Sequence, residues 1–243
     1  MFDTRATTLE LLDQPDCDLA LATASHRFME TVNGRFGGIR TVRQFLTTEL
    51  AGHQANAPLR VLDIGSGSCD IPLAVSHWAQ AHNRSIHFTC LEPAAHAFSL
   101  AHNKLILTNN PDIQLLQEDI FTHQPEIPYD CAVASMCFHH FSDAQINSLM
   151  QKLRDFVRKS VLINDLQRSI PASLAARLLL AWTGAPTGVR HDALLSIQRG
   201  FKVAELSSLL KQLDNVSVSV EPVRWFRVAA IVHFYRSRVL PYR

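Results

Sequence analysis

The sequence predicts an α/β fold: a seven-stranded, mostly parallel sheet with helices on both faces, an antiparallel strand at its C-terminal edge and a helical cap at the N-terminus. Three observations carry this. Short apolar runs alternate with helix-like stretches between 60 and 213, the pattern of βαβ units. Runs such as VLINDL at 161–166 fit strands covered on both faces. The last two strand-like runs, 216–220 and 225–234, leave no room for a crossover helix, so as neighbours they must pair antiparallel.

In chain order, 17–32 and 39–53 carry apolar residues at helical spacing and are joined by Asn33-Gly34-Arg35-Phe36-Gly37-Gly38. With the residues before them they form a cap, 1–57, that belongs to the same domain as the core, 58–243. The core opens with a strand at 60–64 (RVLDI), a helix at 70–81, a strand at 86–91, a helix at 94–107 and a strand at 113–116. A strand at 130–136 follows, then a helix at 143–157 with Ser142 as its N-cap, then the strand at 161–166. Residues 171–200 interrupt the alternation as a helical insertion, helical over 172–182 and broken by Gly184-Ala-Pro-Thr-Gly188. A helix at 203–213 and the two final strands complete the core.

The length, 243 residues, and the 47% apolar content suit one globular domain. The formal net charge of +1 lacks the basic excess of a protein that coats nucleic acid. No apolar run reaches the roughly eighteen residues of a membrane span, and the acidic start MFDTRATTLELLDQPD lacks a signal-peptide core. Five cysteines, an odd number with no CxxC, fit reduced thiols and a cytoplasmic chain. Only nine glycines occur, where ordinary usage predicts about seventeen. Five of them cluster at Gly34/Gly37/Gly38 and Gly65/Gly67, so glycine marks places where the backbone needs it.

The most informative segment is Val61-Leu62-Asp63-Ile64-Gly65-Ser66-Gly67-Ser68-Cys69-Asp70-Ile71-Pro72. A strand runs into a glycine loop and then a helix, at the sheet edge where open α/β folds bind ligands. A dinucleotide fingerprint would need glycine at Asp70, where a carboxylate at a helix N-terminus repels pyrophosphate. No phosphate-binding G-x-x-x-x-G-K-[ST] loop occurs either. A ligand of cationic character suits this acidic loop better.

The segment Asp63-Ile-Gly65-Ser-Gly67-Ser-Cys69 resembles the acidic-x-Gly-x-Gly-x-Gly motif of class I S-adenosylmethionine-dependent methyltransferases. Leu91-Glu92-Pro93, Glu118-Asp119-Ile120 and Tyr129–Met136 fall where that family's next motifs stand, so the resemblance covers about 58–234. It implies a Rossmann-like sheet and S-adenosylmethionine as cofactor. It places Asp63, Gly65, Ser66, Gly67, Asp70, Glu92, Pro93, Asp119, Ile120 and Ser135 around that cofactor, with Glu92 on the ribose hydroxyls and Asp119 on the adenine amine. The N-terminal helices and Arg40 are expected to close over it, with Gly37-Gly38 as hinge; ordinary packing is the alternative. Cys69 replaces the motif's third glycine, and because a Cβ disfavours positive φ, a helical conformation is expected there. A narrower likeness, carried by NGRFGGIR, SMCFHHFSD, NDLQRS and RHDALLSIQRGF, is to small-molecule methyltransferases near the ubiquinone/menaquinone-biosynthesis type.

Methyl transfer from a sulfonium needs alignment, and an oxygen acceptor also needs a base. His139-His140, after the fourth strand, is the candidate base pair; a structural role in the turn is the alternative. Asp165, Arg168, His191 and Asp192 are candidate substrate-binding residues that could equally pair as salt bridges. His77, His82 and His87 recur at a spacing that shares no helical face, and no Cys/His spacing resembles a zinc site, so no metal is expected. The expected reaction is O-methylation of a small phenolic or polyketide-like molecule by a monomer or homodimer. C-methylation of a quinone-type ring and RNA methylation are the alternatives. The segment Ser135-Met-Cys-Phe-His139 lacks the [DN]-P-P-[FY] used to reach base amines, so no nucleic-acid partner is expected.

Overall fold

A computed structural model of the chain describes residues 2–14, 16–54 and 57–235. Its sheet has the strands β1 (Leu59–Ile64), β2 (Ile86–Leu91), β3 (Ile113–Leu116), β4 (Tyr129–Ser135), β5 (Val157–Leu166), β6 (Val216–Val223) and β7 (Arg227–Phe234). They lie in the order β3-β2-β1-β4-β5-β7-β6. The first five are parallel, and β7 runs antiparallel to both β5 and β6.

The helices are α1 (Leu19–Arg35), α2 (Gly38–Ala51), α3 (Asp70–Ala81), α4 (Ala95–Thr108), α5 (Asp143–Phe156), α6 (Ile170–Trp182), α7 (Thr187–Arg199) and α8 (Val203–Leu210). Alternate strand residues feed two apolar layers, as parallel strands buried on both sides must. Leu62, Ala132 and Val161 pack with α5 and α8. Val61, Cys131 and Leu162 pack with α2, α3 and α4. Ser142 caps α5 in a capping box: its Oγ accepts from the Gln145 N–H, and Gln145 Oε1 accepts from the Ser142 N–H.

Several boundaries differ from the sequence expectation. Helix α1 runs through Gly34 to Arg35, because tertiary packing outweighs the glycine penalty. The turn is shortened to Phe36 and Gly37, and a Cβ on Gly38 would lie 2.9 Å from Asn33 Cα. This is a close-packed corner. The chain enters β5 directly from α5, so that strand begins four residues earlier than its apolar run. The insertion holds two helices: Gly184, in the left-handed region, turns the chain, and α7 packs on α6 and α1. The last strand begins at Arg227, because Trp225 and Phe226 form the hairpin turn.

The strand order reverses between β1 and β4, which opens a crevice at their carboxyl ends. The N-terminal segment, residues 2–14, crosses this end of the sheet. Arg5 ties it down by donating to the carbonyls of His139, Phe141 and Arg199.

Candidate functional site

The turn after β1 faces a cavity of about 710 Å³ lined by Asp63, Gly65, Gly67, Asp70, Glu92 and Ser135, among others. Gly65 adopts φ +65°, and a Cβ there would lie 2.7 Å from Cys137 Sγ across the crevice. Only glycine fits on both counts. Cys69 does not become helical: it takes φ 56°, ψ 27°, as the residue before α3. The left-handed geometry of a third glycine is therefore kept by an L-residue. Its buried side chain packs in the core between β1 and α3 and offsets a conformational cost of about 1–2 kcal/mol.

Three carboxylates define the cavity's electrostatics. Glu92 accepts from the Gly67 N–H at 2.8 Å and the Ala94 N–H at 2.9 Å. Burial pushes its carboxyl up to about 7 despite those two donors. Asp63 is pushed up to about 8 by burial, with Asp70 and Glu92 adding repulsion. Burial also raises Asp70, against a hydrogen bond donated by Asn33 at 3.1 Å. A buried acidic wall of this kind is completed by a cation. Helix α1 covers the wall: Glu30 accepts from Ser68 Oγ and Lys104 Nζ, and His26 stands over Gly67. Burial holds His26 neutral, down to about 4. Pro93 lines the cavity too, as does Ser66.

A second cavity of about 400 Å³ adjoins the first. Its wall is apolar, drawn from α1, α6, α7 and the hairpin, with Phe28, Phe36, Leu179, Val189, Trp225 and Phe226 prominent. Glu10, Leu12, Met29, Met136 and Ser196 border both cavities and form the seam between them. Met136, Trp225 and Phe226 all have positive φ, at 55°, 70° and 57°. Three non-glycine residues in this strained region therefore border one cavity. Arg227 braces it by donating to Asn33 Oδ1, the Phe36 carbonyl and Met136 Sδ.

At the seam stands the histidine pair, in a single 3₁₀ turn at Phe138–His140. Asp165 accepts from His139 twice, from its backbone N–H at 3.0 Å and its Nδ1 at 2.7 Å. His139 Nε2 lies 3.5 Å from Glu10 Oε1. Burial opposes charge on this ring, but Asp165 and Glu10 outweigh it and raise it to about 10. His140 Nδ1 lies 2.9 Å from Asp13 Oδ2, which also accepts from Arg199 at 3.3 Å. Glu10 is held by Ser196 Oγ, which donates to it at 2.7 Å. Asp192 accepts from the Leu11 and Leu12 N–H groups. It lines the apolar cavity while anchoring the N-terminal segment.

Six sequence candidates line neither cavity, and one of them, Asp165, stands behind His139 as its buried partner. Arg40 is exposed on α2; the guanidinium that reaches the α1–α2 corner is Arg227's. Asp119 is exposed and caps its own turn by accepting from the Phe121 N–H. Ile120 packs in the core. Arg168 is buried as a clamp on Phe2, Asp3, Gly200 and Glu205. His191 is turned to solvent beside Asp192. The cavity is covered by α1 and residues 9–14. Glu10, Asp13, Ser196, Arg199, Trp225 and Phe226 escaped the sequence reading. The adjacent aromatic pair between two strand-like runs was a visible signal for the last two. The structure also gathers ligand atoms of Glu10, His139 and His140 within 4.8 Å of one another, where no metal-binding spacing is visible in the sequence.

Residues 62–161 match a protein family described as a methyltransferase domain. No curated protein matches the chain. Among solved structures, it is similar to the plantazolicin methyltransferase BpumL in complex with a triazolic desmethylPZN analogue and S-adenosylhomocysteine (TM-score 0.69, 15% identity, 93% of each chain). The plantazolicin methyltransferase BamL, with the same type of analogue and S-adenosylhomocysteine, gives TM-score 0.67 and 16% identity over 92% of each chain. The magnesium protoporphyrin IX methyltransferase ChlM from Synechocystis PCC 6803, with bound S-adenosylmethionine, gives TM-score 0.54 and 13% identity over 82% of this chain and 80% of that one. The sheet order and the similarity to these solved methyltransferases agree on the fold, and residues 62–161, which hold the acidic glycine loop, are similar to the methyltransferase-domain family.

Proposed function

We propose that the protein transfers the methyl group of S-adenosylmethionine to an oxygen of a small, apolar, ring-bearing molecule. The observation that carries this is the junction of two unlike cavities: an acidic one at the glycine loop and an apolar one that meets it at Met136 and Glu10. The acidic wall suits the ammonium and sulfonium charges of the cofactor, with Glu92 placed for the ribose hydroxyls. The apolar cavity suits a flat acceptor, and Phe28, Phe36, Trp225 and Phe226 are part of its wall. BpumL and BamL, each with an azole-bearing analogue beside S-adenosylhomocysteine, support this division of labour.

The S–CH₃ bond breaks as the O–CH₃ bond forms, and S-adenosylhomocysteine leaves as a neutral thioether. Alignment across the seam supplies most of the rate, about 7–11 kcal/mol in favourable cases. The acceptor hydroxyl meets Glu10, His139 and His140 and gives up its proton to Glu10 or His140, because His139, raised to about 10, already carries one. Calorimetry with S-adenosylhomocysteine tests the cofactor, and absence of binding overturns the whole reading. Labelled S-adenosylmethionine offered with phenols, quinols and tRNA tests the acceptor. Label on a phenol or quinol oxygen is expected. Label on a ring carbon or on tRNA alone overturns the O-methylation reading.

A further inference from the structure

We propose that Glu10, His139 and His140 form a binding site for one divalent transition-metal ion of the zinc type, at the seam between the two cavities. The inference rests on the methyltransferase reading only in placing the acceptor's oxygen there; the ion site stands on its own geometry.

Both imidazoles are arranged as metal-binding histidines are. Asp165 engages Nδ1 of His139 at 2.7 Å, and Asp13 engages Nδ1 of His140 at 2.9 Å. A carboxylate on one ring nitrogen fixes the tautomer and leaves Nε2 as the ligand atom. The two rings stand side by side, centroids 4.2 Å apart. The third ligand, Glu10, comes from the N-terminal segment and is fixed by Ser196 and by the Asp192 anchor on Leu11 and Leu12.

The spacing admits an ion in place of the proton between the two groups. His139 Nε2 lies 3.5 Å from Glu10 Oε1. A charge-assisted hydrogen bond between such groups would close to about 2.7–2.9 Å. Two ligands on one tetrahedral zinc, at about 2.0–2.2 Å each, stand roughly 3.3–3.6 Å apart. Ligand atoms of all three residues lie within 4.8 Å of one another. The charge also fits, because Glu10, Asp13 and Asp165 crowd two imidazoles, with Arg199 bonded to Asp13. Three protein ligands leave a fourth position, as in catalytic rather than structural zinc sites. Glu10 lines both cavities, so a ligand in the apolar cavity reaches that position with an oxygen.

The test uses the full chain, stripped with a chelator and dialysed. Zinc is titrated by calorimetry and counted by elemental analysis, and cobalt(II) is added as a spectroscopic probe. One equivalent of zinc is expected, with a visible cobalt absorption of four-coordinate strength. His140→Ala and Glu10→Gln each remove a direct ligand and should weaken zinc binding by more than the roughly 10–100-fold that loss of a partner behind a ligand costs. A triple variant of His77, His82 and His87 should bind as the parent does. Far-UV circular dichroism and S-adenosylhomocysteine binding show whether each variant is folded. Failure to bind zinc, or binding that His140→Ala and Glu10→Gln leave unchanged in folded protein, overturns the proposal. If S-adenosylhomocysteine binds and zinc does not, the ion site alone fails. If zinc binds and S-adenosylhomocysteine does not, the cofactor reading fails instead.

Discussion

Glu92→Gln separates a carboxylate that binds ribose from one that only braces a loop. Glu92 is buried, and its two oxygens accept from Gly67 and Ala94. Its carboxyl sits at about 7 instead of the ordinary 4.5. Burial of the charged form therefore costs the empty fold on the order of 3 kcal/mol. A folded value above the unfolded one gives a penalty that is absent below about pH 4.5 and complete above about pH 7, so the empty protein loses stability as pH rises between them. Glutamine removes that penalty but leaves one N–H without an acceptor, a cost of about 1–3 kcal/mol. At pH 8 the two nearly cancel, and the melting temperature of the empty variant should equal or slightly exceed the parent's. At pH 5 the variant should melt lower. Binding behaves differently, because hydrogen bonds from ribose hydroxyls to a charged acceptor contribute about 1.5–3 kcal/mol each. A net loss of about 3 kcal/mol weakens S-adenosylhomocysteine about 100-fold. Calorimetry and thermal melts at the two pH values read both quantities. A binding change under threefold, or a parent–variant stability difference that does not change with pH, would refute the reasoning.

Four further outcomes are expected. S-adenosylmethionine affinity should rise from pH 6 to 8, as Glu92 and Asp63, at about 7 and 8 when empty, ionise against a cationic ligand; calorimetry should record proton release, and Asp63→Asn should flatten the profile. Gly65→Ala should abolish measurable S-adenosylhomocysteine binding, because its Cβ meets Cys137 at 2.7 Å with φ at +65°; retained affinity would show that the crevice relaxes. Cys69→Gly relieves a left-handed L-residue but empties a buried position, so its melting temperature should move by only a few degrees and S-adenosylhomocysteine affinity by less than threefold. Trp225→Asn with Phe226→Gly supplies residues that accept positive φ in the hairpin, and should raise the melting temperature while lowering turnover of aromatic acceptors and sparing S-adenosylhomocysteine binding.

The core of the fold was legible because its signals are local. Strand β2, helix α3 and strand β3 begin and end where the apolar runs do, since each run is a single element bounded by turn residues. The antiparallel edge followed from the shortness of the connection before β7. The acidic cavity was legible for the same reason, as Asp63, Gly65, Gly67 and Asp70 sit within one loop and Glu92 ends the next strand. The seam with the apolar cavity was not. Glu10 meets His139 and Ser196 across most of the chain length, and no periodicity joins residues so far apart. Arg168 and Arg227 illustrate the converse. Both look like surface cations in sequence, yet they are buried because their donors satisfy carbonyls of the chain's first residues and of the α1–α2 corner. Cys69 shows that a steric preference is outweighed when the tertiary structure over-determines the backbone.

The segment over the crevice has a kinetic consequence. Residues 2–14 are held mostly by polar contacts, through Arg5, Glu10, Asp13 and Asp192, and contribute little to the apolar layers. Such a segment opens with a free energy well below that of global unfolding. Through Glu10 and Leu12 it lines both cavities. Departure of the methylated product, rather than bond formation, is then the step expected to limit turnover. In that regime kcat follows solvent viscosity and the hydrogen-exchange rate of residues 9–13, and a better nucleophile makes no faster enzyme.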